Sequence, residues 1–110
     1  MNSDEASKNQ RVLDALKSAG DAFDRVREIE HWAYFPNEGK RMVFVAKSQT
    51  LGLHLRDLSE NNKSANRYGA RLVQADIPTS QTMNDVTTKL VELAEECGGE
   101  YDGWECAVVR

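Results

Sequence analysis

The chain closes with Glu100-Tyr101-Asp102-Gly103-Trp104-Glu105-Cys106-Ala107-Val108-Val109, which reads as a β-strand. Successive side chains of a strand point to opposite faces. Trp104, Cys106 and Val108 then make one apolar face, and Tyr101 and Glu105 fall on the other. Gly103, set between bulky neighbours, predicts a bulge or a close approach of another backbone. A strand with one oily and one mixed face needs a partner. Residues 26–35, near the other end of the chain, are the best match.

In that partner, Ile29, His31, Ala33 and Phe35 share one face, while Glu28, Glu30, Trp32 and Tyr34 share the other. Ala33 is small and leaves room for a helix. Pro36 cannot donate to a ladder and ends the strand.

The helix before the closing strand is the clearest periodic segment. Met83, Val86, Leu90, Leu93, Ala94 and Cys97 recur at three- and four-residue steps over residues 79–97. Thr79 or Ser80 caps its start, with Thr82 and Asp85 as an alternative pair, and Gly98 stops it. A first helix is expected over residues 6–19, with Val12, Leu13, Leu16 and Ala19 on one face and Gly20 as its stop. Residues 1–5 are expected to fray. The first helix reads as an accessory element packed on the domain, with docking on a partner as the alternative.

Residues 37–51 are ambiguous. Met42-Val43-Phe44-Val45-Ala46 favours a strand by propensity, and residues 36–39 could turn a hairpin. Yet Asn37 can cap a helix, and Met42, Val45, Ala46 and Gln49 keep helical spacing up to the stop at Leu51-Gly52. Lys40-Arg41 reads as a solvated basic pair. Residues 53–58 then form a strand, with Leu53, Leu55 and Asp57 on one side and His54, Arg56 and Leu58 on the other. A polar loop over residues 59–64 leads to a strand over residues 67–77, which holds Leu72, Val73, Ala75 and Ile77 and ends at Pro78.

The 110 residues allow one domain with one core, spanning 1–110, with residues 1–20 as the accessory helix. A net charge of -4 argues against a nucleic-acid module, which needs excess Lys and Arg to meet phosphates. No apolar run is long enough to cross a bilayer, and the acidic start Met1-Asn2-Ser3-Asp4-Glu5 is no signal peptide. A cytoplasmic protein is expected, with Cys97 and Cys106 as buried thiols rather than a disulfide.

With residues 37–51 as a helix, the order is helix, then β-α-β-β-α-β. This is the α+β, ferredoxin-like pattern, a four-stranded antiparallel sheet ordered 4-1-3-2 with both long helices on one face. The other face stays open unless a partner, a second copy or the first helix covers it.

Three stretches in this order carry a resemblance: Glu30-His31 in the first strand, Leu51-Gly52 closing the next helix, and Glu100-Tyr101-Asp102-Gly103-Trp104 in the last strand. They look like the regulator of ribonuclease activity B family, small protein inhibitors of ribonuclease E. The resemblance runs from about Gln10 to Val109 and favours the helix over residues 37–51. It implies a ferredoxin-like domain acting by protein–protein contact, here a member without the acidic C-terminal tail of its relatives. The implied partner is ribonuclease E or a related endoribonuclease.

The candidate partner-binding residues are Glu28, Glu30, Trp32, Tyr34, Tyr101 and Glu105, an aromatic and acidic group on the open face. Aromatics on a four-stranded sheet also fit single-stranded RNA, but these carboxylates would repel its backbone. His31, Asp102, Gly103 and Trp104 read as structural. The alternative for His31 and Asp102 is an acid–base pair, for which no nucleophile is at hand. Trp104 is expected in the core, with its indole N–H seeking a partner. Two isolated histidines make no metal site, so neither cofactor nor metal is expected. The expected function is a non-enzymatic regulator. The alternatives are a small-molecule sensor, a module for a non-ribonuclease partner, and a homodimer.

Overall fold

The computed structural model describes residues 3–110. They form three α-helices and a four-stranded antiparallel sheet. The elements in order are α1 (Ser3–Ser18), β1 (Arg27–Phe35), α2 (Glu38–Ser48) with a 3-10 turn (Gln49–Leu51), β2 (His54–Glu60), β3 (Tyr68–Asp76), α3 (Ser80–Glu96) and β4 (Glu100–Cys106). The strands lie in the order β2-β3-β1-β4, so the first strand is central and the last pairs beside it. This is the ferredoxin-like order expected from the sequence.

Local chemistry explains the boundaries. Asn37 caps α2 by accepting the Lys40 N–H at 2.9 Å, and Thr79 caps α3 by accepting the Thr82 N–H at 3.2 Å. Residues 37–51 are therefore helical. β1 starts at Arg27, one residue later than expected, with Val26 exposed. Of the expected frayed end, Met1 and Asn2 lie outside the described residues, but Ser3, Asp4 and Glu5 belong to α1.

One face of the sheet carries the core. Ile29, Ala33 and Phe35 of β1, Ala70 and Leu72 of β3 and Trp104 of β4 join Phe44 and Val45 of α2 and Met83, Val86, Leu90 and Ala94 of α3. Leu13 and Leu16 of α1 belong to the same cluster. The first helix thus packs beside α3, and among the described residues the opposite face of the sheet is free of helices. Cys97 is buried and Cys106 half-buried, both as free thiols.

Three expectations about faces are corrected. The buried stripe of α2 is Arg41, Phe44, Val45 and Ser48, not Met42, Val45, Ala46 and Gln49. Met42 remains 44% exposed, because Ser48 can enter the core by donating its hydroxyl to the Val45 carbonyl and Arg41 by lying against Tyr68. Arg41 is accordingly buried rather than solvated. In β2 a register shift between Leu55 and Asp57 breaks the alternation. Leu55 and Leu58, expected on opposite sides, pair with Leu72 and Ala70 of the core face.

Candidate functional site

The third correction concerns β4. A register shift opposite Trp32 and Ala33 pairs Trp32 with Gly103 and Ala33 with Tyr101. Asp102 is the extra residue, and Gly103 takes φ +147, a backbone conformation glycine adopts without strain. The bulge at Gly103 was expected; its effect on Tyr101 was not. One added residue turns Tyr101 onto the same face as Trp104, so Tyr101 packs on the core instead of joining the open face.

There Tyr101 meets His31. The tyrosine hydroxyl is 2.8 Å from His31 Nδ1, and His31 Nε2 is 2.5 Å from Gln74 Oε1. With Nε2 donating to the Gln74 oxygen, Nδ1 is free to accept the tyrosine proton. Burial holds His31 neutral, lowering its pKa to about 4 against the opposing pull of Gln74. Burial, with smaller contributions from Glu5 and Asp102, pushes the Tyr101 phenol well above its usual range. Both ring nitrogens of His31 are engaged, and its partners are Tyr101 and Gln74, not Asp102. Asp102 is exposed.

Trp104 is buried and donates its indole N–H to Asn9 Oδ1 at 2.8 Å. The Asn9 amide in turn donates to Asn84 Oδ1 at 2.8 Å and Thr87 Oγ1 at 2.9 Å. This polar knot ties α1, α3 and β4 together. A cleft of about 230 Å³ beside it is lined by Glu5, Lys8, Val12, Asp102 and Gly103.

The open face keeps Glu28, Glu30, Trp32 and Tyr34 from β1 and Glu105 from β4, which stands opposite Glu30 in register. Trp32 and Tyr34 are half-buried, and Glu28 and Glu105 are exposed. The Tyr34 ring lies over Gly69 of β3: a Cβ there would come 2.9 Å from Tyr34 Cε1 and closer still to the Ser59 hydroxyl. Burial, then Asp102, raises the Tyr34 phenol pKa.

Cations share this face. Arg56 of β2 meets Glu28 at 2.5 Å, and Arg71 of β3 meets both Glu30 at 3.4 Å and Asp57. The β2–β3–β1 side is thus a lattice of ion pairs. No cation pairs with Glu105 among the described residues, so the β4 side is acidic. A shallow cleft of about 320 Å³ at the Arg27 end of β1 is lined by Glu28, Glu30, Glu105, Cys106 and Ala107. Sequence reasoning missed Arg71; the alternation of β3, with Leu72 in the core, would have found it.

A second unread feature closes the chain ends. Asp21 and Arg27, both buried, form a two-pronged ion pair, with Arg27 Nη2 3.1 Å from Asp21 Oδ1. Asp21 also accepts the Phe23 N–H at 2.8 Å and the Val109 N–H at 3.1 Å. The hydrogen bond from Arg27 outweighs burial and holds the Asp21 pKa near 2.

The arrangement offers surfaces and buried hydrogen bonds. Among the described residues no group of three or more His, Cys, Asp or Glu side chains could hold a metal ion, and no helix is long and apolar enough to cross a membrane.

Comparison with known proteins places this architecture. No curated protein matches the chain. One family model, that of regulator of ribonuclease activity B, matches residues 6–106, which takes in most of α1, the whole sheet and the Tyr101-Asp102-Gly103-Trp104 bulge. The chain therefore belongs to the regulator of ribonuclease activity B family.

Proposed function

We propose that this protein is a non-enzymatic, cytoplasmic regulator that binds a ribonuclease, of the ribonuclease E kind, through the open face of its sheet. The observation that carries the reading is the uncovered patch of Trp32 and Tyr34 beside Glu28, Glu30 and Glu105. Half-exposed aromatics anchor protein interfaces well, since they bury much area for little lost side-chain freedom. The acidic β4 side suits a basic partner surface. The ion pairs from β2 to β1 would hold the rest of the face in one geometry before contact.

Tyr101 drops out of this contact set and acts only from behind the sheet, by fixing His31. Titration calorimetry with purified ribonuclease E, alongside an RNA-cleavage assay, tests the reading. Wild type should bind and alter the cleavage rate, and the Trp32→Ala/Tyr34→Ala double variant should lose both while staying folded. Equal binding by wild type and variant would remove the open face from the interface.

A further inference from the structure

Most buried or paired arginines of this fold have a carboxylate. Arg27 meets Asp21, Arg56 meets Glu28, and Arg71 meets Glu30 and Asp57. Two arginines at the α2–β3 corner break the pattern. Arg41 is only 6% exposed and Arg67 is half-buried, and neither forms an ion pair among the described residues. Their guanidinium carbons sit 5.3 Å and 4.8 Å from the centre of the same Tyr68 ring.

The hydrogen bonding is equally incomplete. Arg41 donates one bond, from Nη1 to the Ser59 carbonyl at 3.3 Å. The Nε of both arginines is buried without an acceptor. Two carboxylates are at hand in sequence and register. Glu60 stands opposite Tyr68 on β2, and Glu38 precedes Arg41 by one helical turn. Neither forms an ion pair with either guanidinium.

A π face attracts a cation, but it adds no negative charge and accepts no strong hydrogen bond. Two guanidiniums gathered on one ring repel each other, and leaving a buried cation unpaired is expensive. What would satisfy both is an anion with several acceptor oxygens and more than one negative charge. Guanidinium forks match the spacing of phosphate oxygens and bind them in pairs.

We propose that Arg41 and Arg67, held against Tyr68, form a binding site for a phosphate dianion, free or carried by a phosphomonoester. The site lies on the helix-bearing side of the sheet, since Tyr68 pairs with Phe35 of the core face. It is separate from the Trp32–Tyr34 patch, so it stands or falls independently of the ribonuclease reading.

The test is calorimetric titration of the whole protein with inorganic phosphate and, in parallel, with AMP, both against chloride at equal ionic strength. Wild type should bind at least one of them, and Arg67→Gln should weaken that binding about tenfold or more. Tighter binding of AMP assigns the site to the ester; equal or tighter binding of phosphate assigns it to the free ion. Arg67→Gln is the deciding variant because Arg41→Gln empties a buried position and can disturb α2 itself. Glu60→Gln, which removes the carboxylate opposite Tyr68, should bind at least as tightly as wild type. Absence of binding by either ligand, an unchanged affinity in Arg67→Gln, or loss of binding in Glu60→Gln would overturn the proposal.

Discussion

The Tyr101 hydroxyl lies 2.8 Å from His31 Nδ1, so a side chain that strict alternation sends to the open face instead completes the bonding of a buried imidazole. The inserted Asp102 is the cause, and it puts Tyr101 and Trp104, three residues apart, on the same face of the sheet.

Tyr101→Phe should therefore lower stability and leave ribonuclease binding intact. The variant deprives the buried His31 nitrogen of its donor, a loss of about 1–3 kcal/mol. Urea unfolding and calorimetry on the same preparation separate the two effects. A variant of wild-type stability with weakened binding would return Tyr101 to the contact surface.

Trp104→Ala should cost about 3–5 kcal/mol by emptying a core position. Trp104→Phe restores most of the volume but leaves Asn9 Oδ1 without its indole donor, so it should still cost about 1–3 kcal/mol. Asn9→Leu combined with Trp104→Phe should cost less than the sum of the two single losses, because the bond between Trp104 and Asn9 is lost only once, while the loss at Asn84 and Thr87 already belongs to Asn9→Leu alone. A double-mutant cycle from denaturation midpoints measures that coupling.

Stability should fall in two acid steps. His31 titrates near 4 when folded and near its ordinary 6.5 when unfolded, so its contribution is complete above pH 6.5. Between pH 6.5 and 4 the unfolded chain takes up a proton that the native imidazole refuses, and roughly 3 kcal/mol is lost. Asp21 acts lower: its depressed pKa near 2 means that its contribution persists above the ordinary carboxylate range and disappears as pH falls toward 2. His31→Gln should flatten the first step alone. Denaturation curves across this pH range would show it, and an unchanged slope in the variant would dissociate His31 from the effect.

Asp21→Ala should be among the most damaging single changes, at roughly 3–5 kcal/mol, because it strands the buried Arg27. Asp21→Ala/Arg27→Met removes both charges and should recover much of the loss. Thermal unfolding of the three variants decides; a double variant no better than the single one would assign the loss to the freed Val109 and Phe23 amides instead.

What the sequence made legible follows from how far each signal reaches. The stripe of α3 survives because helical spacing holds over 17 residues. The order of strands follows from the element order and the face pattern of β1, which has no irregularity of its own. Single-residue events escape such counting. The extra residues in β2 and β4 each reverse a face, and only Gly103 gave warning of one. In α2 the more hydrophobic Met42 and Val43 stay outside while Arg41 and Ser48 go in, an outcome set by Tyr68 and the Val45 carbonyl. Asp21 and Arg27 look like ordinary surface charges in sequence; their burial depends on residues 107–110 folding back over them.

The knot between Asn9 and Trp104 joins positions 95 residues apart, and the bond from Arg110 to Ala19 joins positions 91 apart. β1, at the centre of the sheet, waits for the same late residues to gain its second neighbour. On the ribosome, α1 and β1 emerge early yet cannot complete their contacts until β4 has left the exit tunnel. Contacts this distant in sequence must meet the cost of loop closure before they stabilise anything. The nascent chain thus carries Trp32 and the oily side of β1 without β4 while residues 36–99 are made, and the interval in which it is vulnerable to wrong pairing is set by translation speed rather than by the strength of the finished core.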